Sequence, residues 1–125
     1  MRAAEDRRPE VRLGKHTLVP DLAGWRKERF PRSEDHNWIS VAPDWVCEIL
    51  SPGTIRVDRV KKMRICREHS VPHVWVIDPL HRTLEVFGTG QPGAWVSLSL
   101  FVEDDRVRAV PFEEAEIELR HFWLD

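Results

Sequence analysis

The sequence predicts an α+β or α/β domain, a mixed β-sheet with a flanking helix or helices, and three observations carry that prediction. Short strand-like runs dominate the 125 residues. A single stretch, residues 56–69, shifts to a helical period. That stretch lies between the second and third clear strands, so the two kinds of element are interleaved rather than segregated. A chain of this length makes one domain, taken here as 1–125.

Each element has its own signal. "VRLGKHTLVPDLAGW" reads as two short strands about a Gly-Lys turn, the second being "TLVPDLAGW". "RKERFPRSEDHNWIS" is polar, carries a proline and reads as an exposed connection. "DWVCEILS" is a strand ended by the Ser51-Pro52-Gly53-Thr54 turn. From Arg56 to His69, Val60, Met63 and Cys66 recur every three residues, Ile65 widens the stripe, and Arg59, Lys62, Arg64 and Arg67 lie largely elsewhere. This is an amphipathic helix, with Thr54 as its expected cap and Asp58 in its first turn. "HVWVID" is a strand, "PLHR" a turn and "TLEVFG" the hairpin partner; "AWVSLSLF" alternates as well. "RVRAVPF" is a short strand or loop, and "AEIELRHFW" ends as either a strand or a helical turn.

A hydrophobic fraction of 42% and a charged fraction of 32% describe a soluble globular chain. The longest apolar runs, such as Val74–Ile77, are far too short to cross a bilayer, so no membrane partner is expected. The start, "MRAAEDRRPEVRL", is charged throughout and has no apolar export stretch. Cys47 and Cys66 form no C-x-x-C pair and sit in apolar segments, which makes them reduced core residues and a cytoplasmic location the default. A net charge of −2 argues against a generic polyanion-coating protein. The charge is nevertheless uneven: residues 54–67 hold six basic groups against one acid, and residues 103–125 hold eight acids against three basic groups.

Two carboxylates stand where strands should be apolar. Asp21 lies between "LVP" and "LA", and Glu48 between "WVC" and "IL". A charge buried alone costs several kcal/mol, so such a group is paired or binds a cation. Two carboxylates on adjacent strands sharing a face would form the hard oxygen cluster that Mg²⁺ prefers. Either acid alone also fits an ordinary strand carboxylate paired with an arginine. Asp58 and Lys62, at i and i+4 on one helix face, likewise fit a plain surface ion pair.

The remaining conspicuous residues point to no chemistry. Trp45, Trp75 and Trp95 fall in strand patterns and belong to the core, whereas Trp25 and Trp38 flank the polar connection and are expected nearer solvent. The six histidines show no Cys/His pattern, so no zinc site is expected. No G-x-S-x-G elbow and no glycine-rich phosphate loop is present. Asp44 and Asp78 each adjoin a proline at a strand boundary, where turn chemistry accounts for them.

Five segments in order, "LVPDLAGWR", "APDWVCEILSPGT", "DRVKK", "SVPHVWVIDP" and "RTLEVF", resemble the bacterial restriction-endonuclease-like family of Uma type, within the PD-(D/E)XK nuclease superfamily. The resemblance spans about residues 10–123. It implies a central mixed sheet flanked by helices and an endonuclease that hydrolyses DNA phosphodiester bonds with Mg²⁺ or Mn²⁺. It places the metal on Asp21, Glu48 and the backbone carbonyl of Ile49. In the superfamily a lysine follows the second acid by two residues; here that position is Leu50. The resemblance shifts the lysine's role to Lys62, four residues after Asp58, with Lys61 as the alternative and Asp58 in support. Arg56, Arg59 and Arg64 would then hold the phosphate backbone, in contacts that are salt-sensitive and blind to sequence. Cutting both strands takes two sites, which suggests a homodimer.

The chain departs from the family in lacking the helical region that usually precedes the first strands, so it is expected to be N-terminally shortened. Cys66 stands where the family often has tyrosine, and Ser70 where it usually has glycine. The shortening keeps a rival open: a catalytically silent nuclease-like domain serving as a nucleic-acid-binding or protein-interaction module.

Overall fold

The computed structural model of the protein describes residues 2–4, 10–30, 38–51, 56–91 and 93–123, with side chains described from residue 10 onward except at 56–58. Among these residues the elements run β1 (Arg2–Ala4), β2 (Glu10–Leu13), β3 (His16–Leu18), β4 (Leu22–Trp25), β5 (Trp38–Ile39), β6 (Trp45–Ile49), α1 (Arg56–Glu68), β7 (His73–Asp78), β8 (Thr83–Thr89), β9 (Trp95–Val102), β10 (Arg106–Val107) and β11 (Ile117–Glu118). The Thr54 expected as a helix cap lies outside the described residues. No described helix is long and apolar enough to cross a membrane.

The main sheet has six strands in the order β1-β4-β6-β7-β8-β9. Only β6 and β7 pair in parallel, with α1 as the crossover between them; the other neighbours are antiparallel. That is the mixed α+β architecture expected from the interleaved patterns. A smaller sheet, β3-β2-β5, and the two-stranded β10-β11 pair complete the described elements.

Alternation along the strands sorts the core into two halves. Val46, Val74, Val76, Ala23 and Trp25 project to one side, where they meet Val11, Leu13 and Leu18 of β2 and β3, Val71, and Cys66 of α1. Trp45, Cys47, Trp75, Ile77, Leu84 and Val86 project to the other, under Val107, Ala109, Leu119 and Trp123. The centre of the sheet is therefore covered on both faces. Both cysteines are free and buried, as their apolar surroundings predict. Burial raises both thiols, that of Cys66 to about 12, and holds them protonated.

Three expectations need correction. "TLVPDLAGW" is not one strand: Pro20, which has no N–H to give a ladder, separates β3 from β4, and the two join different sheets. Trp25 is wholly buried rather than near solvent, its indole N–H donating to the Val41 carbonyl at 2.9 Å. Asp44 is more than a turn residue. It is buried, accepts the Arg26 N–H at 2.7 Å and pairs with the Arg29 guanidinium, tying the end of β4 to the start of β6. Asp78 does behave as a turn residue, accepting the N–H groups of Leu80 and His81. The tail open between strand and helical turn is both: β11 runs into a 3-10 turn at Leu119–Phe122.

Candidate active site

Strand parity decides where the two anomalous carboxylates go. Glu48 is two residues from Val46, so it shares the face of the sheet that α1 covers. Asp21 is two residues from Ala23 and shares that face as well. The register between β4 and β6 pairs Leu22 with Cys47. Continued by one residue, it sets Asp21 directly across from Glu48. The expected pairing of the two acids on one face is what the sheet builds.

Their surroundings differ. Glu48 is only 6% exposed. One carboxylate oxygen, Oε2, lies 3.5 Å from Lys62 Nζ; the other, Oε1, is buried with no hydrogen-bond partner among the described residues. Burial pushes the Glu48 carboxyl up to about 7; the Lys62 ammonium pulls it down, and the neighbouring Asp21 pushes it up again. Asp21 sits in the bend before β4, half-buried, and its Oδ2 accepts the Ile49 N–H at 2.7 Å. In a strand the N–H and carbonyl of one residue face the same edge. Leu50 donates to Ile77 on the β7 side, so Ile49 turns its own polar groups toward Asp21.

Lys62 reaches this pair from α1. Its ammonium also donates to the Val19 carbonyl at 3.3 Å, just past the end of β3. Both contacts are long, so the ammonium is positioned without being saturated. Sequence reasoning did not include the Val19 carbonyl. Its signal was Pro20, which ends β3 and leaves the preceding carbonyl out of any ladder.

The other helix residues divide by face. Arg59 precedes Lys62 by three residues, on the same face, and its Nε is buried without a hydrogen-bond partner. Lys61 is exposed, roughly 100° round the helix from Lys62. Arg64 is turned about 160° away from Lys62. It lines a cleft of about 500 Å³ with Val60, Met63, Arg67 and Trp95 and does not converge on the carboxylates. The side chains of Arg56 and Asp58 lie outside the described residues.

The donor set fits a hard divalent cation. Two carboxylates and a backbone carbonyl offer oxygen only, the ligand type of Mg²⁺ and Mn²⁺. Among the described residues Glu48 Oε1 is a buried oxygen without a hydrogen-bond partner, and such an atom costs about 1–3 kcal/mol unless something binds it.

Comparison with known proteins follows the same line. The family model Uma2, described as "Putative restriction endonuclease", matches residues 3–120. A crystal structure of a putative nuclease from Anabaena variabilis is 30% identical, aligns with a TM-score of 0.75, and covers 95% of this chain, which in turn spans 65% of that protein's length. No curated protein matches.

Proposed function

The chain belongs to the Uma2 restriction-endonuclease-like family and has the fold of a nuclease-like domain, and on that premise we propose that it is a divalent-metal-dependent endonuclease hydrolysing DNA phosphodiester bonds. The observation that carries the proposal is the buried, unsatisfied Glu48 oxygen set across from Asp21, with a lysine ammonium alongside. Asp21, Glu48 and the Ile49 carbonyl would hold Mg²⁺ or Mn²⁺. Such an ion, when bound, polarises a phosphoryl oxygen and acidifies a bound water.

The chain's own residues do the rest. Glu48 gives up its proton and presents a carboxylate, so cation binding releases a proton wherever the pH lies below about 7. Asp21 is kept in place by the Ile49 N–H. Lys62, anchored on the Val19 carbonyl, orients the attacking water or meets charge developing on the phosphoryl oxygens as the leaving oxygen departs in line. Arg59, one helical turn from Lys62 on the same face, would take a phosphate of the DNA backbone. Arg64 faces elsewhere and is assigned no part at this centre. Two copies of the domain would serve the two strands of a duplex.

The test is calorimetric titration of Mn²⁺ into the protein and into Glu48→Ala. Saturable binding by the parent, lost in a variant with an unchanged circular-dichroism spectrum, supports the site and warrants a substrate search. A folded parent that binds no Mn²⁺ would sink the proposal.

A further inference from the structure

The sequence holds no Cys/His zinc pattern, but the fold gathers a cluster of potential ligands from distant segments. His16 opens β3, and Glu68 and His69 close α1, more than fifty residues later in the chain, yet the structure brings the three together. His16 Nε2 lies 3.1 Å from Glu68 Oε2. The His16 and His69 rings meet edge to face, with centroids 5.6 Å apart. One ligand atom from each of the three residues falls within a span of 4.8 Å. We propose that His16, Glu68 and His69 form a zinc site, separate from the carboxylate pair, that clips the β2–β3 hairpin to the end of α1.

The chemistry of the ligands separates the two sites. Asp21, Glu48 and the Ile49 carbonyl are all oxygen. Two imidazoles with one carboxylate are the borderline donors that bind Zn²⁺ well and Mg²⁺ poorly. Three protein ligands also leave a fourth tetrahedral position for water. Bonds of about 2.0–2.2 Å to zinc put neighbouring ligand atoms roughly 3.3 Å apart, so the described span closes by small side-chain rotations. Neither cysteine competes for the ion, because both are buried in the apolar core.

The backbone is set for the site from both directions. Gly14, at φ +60°, makes the hairpin turn that delivers His16, and lies beside the His69 ring, which a Cβ there would meet at an ordinary contact distance of 3.7 Å. At the other end, α1 closes with Ser70 at φ 61°. The Ser70 N–H donates to the Arg67 carbonyl and the Val71 N–H to the Cys66 carbonyl, which fixes the turn next to His69. The three ligands thus stand at the C-terminal, partially negative end of the helix, where a cation is favoured. Arg67, the basic residue of that last turn, is held away by the Ala94 and Gln91 carbonyls. Among the described residues the other histidine–acid pairs, His81 with Asp78 and His121 with Glu118, gather no third ligand.

The experiment uses the whole chain, stripped with a chelator, held in a large excess of Mg²⁺ to occupy the carboxylate pair, and titrated with Zn²⁺ by calorimetry and with Co²⁺ by visible absorption. The expected result is one ion per chain, intense d–d bands, and a rise in thermal midpoint with Zn²⁺. Affinity should fall by about tenfold or more in His16→Ala and in His69→Ala, and stay unchanged in Glu48→Ala. His16→Gln and His69→Gln, which keep the side-chain bulk, should show the same loss if an alanine variant fails to fold. A parent that binds no Zn²⁺ overturns the proposal, as does binding that survives in His16→Gln/His69→Gln or is lost in Glu48→Ala. Since only the last variant touches the carboxylate pair, this site and the proposed nuclease centre stand or fall separately.

Discussion

At Glu48 the demands of folding and of the proposed cation binding meet on one side chain. Its folded pKa of about 7 exceeds the ordinary 4.5, so between those values the folded chain holds a proton that the unfolded chain has lost. The resulting stabilisation is fully present below about pH 4.5 and disappears as pH rises through about 7, a loss of up to about 3 kcal/mol. Metal-free protein should therefore unfold at lower denaturant concentration at pH 8 than at pH 5. Glu48→Gln, neutral at both, should remove that part of the difference, gain stability at pH 8 and no longer bind Mn²⁺; chemical denaturation and calorimetry check the two halves. Lys62 acts on the same equilibrium, since its ammonium lowers the Glu48 pKa. Lys62→Ala should bind Mn²⁺ while moving the loss of binding to higher pH, and should cleave DNA roughly a hundredfold more slowly than the parent. The two acids were legible in the sequence because a carboxylate in an apolar strand run is costly. Asp44 was not, because its burial depends on Arg26 and Arg29 from another segment, and a neighbouring proline already explained it.

Helix α1 shows which parts of an element a sequence reveals. The three-residue recurrence of Val60, Met63 and Cys66 marked its body, and the structure ends it within a residue of the expected boundary. How it ends was hidden. The closing turn needs a left-handed residue, ordinarily signalled by glycine, and here serine takes that conformation. Serine pays a steric cost in that region that glycine does not. Ser70→Gly should raise stability by about 0.5–1 kcal/mol, read from the urea midpoint with an unchanged slope. The division between β3 and β4 was half legible. Pro20 announced an interruption, but nothing local said that the two halves would join different sheets. Likewise the face of α1 that holds Lys62 and Arg59 follows from helical period, yet only the packing of β3 against the helix supplies the Val19 carbonyl that anchors the ammonium.

Across the whole molecule, the order of strands and helix was readable, whereas contacts between distant segments were not. His16, Glu68 and His69 are the plainest case: no spacing in the chain links a hairpin residue to a helix end more than fifty residues away. The outer strand shows the opposite limit. Val96, Leu98, Leu100 and Val102 of β9 alternate as a buried strand would, but they are exposed, Leu100 to 61%. An apolar row on an edge strand invites pairing between molecules. Leu100→Lys should change folding stability by no more than about 0.5 kcal/mol and reduce light scattering on heating. The indoles fasten the molecule across its width. The N–H groups of Trp25, Trp75, Trp95 and Trp123 donate to the carbonyls of Val41, Val110, Met63 and Glu103, each in a different part of the chain. With no tyrosine in the sequence, emission excited beyond the phenylalanine band comes from these fasteners and two further indoles alone. The protein thus carries its own optical label. Because Trp95 is moored to the backbone of α1, its colour and lifetime register any shift of the helix that bears Lys62 at one turn and His69 at its end.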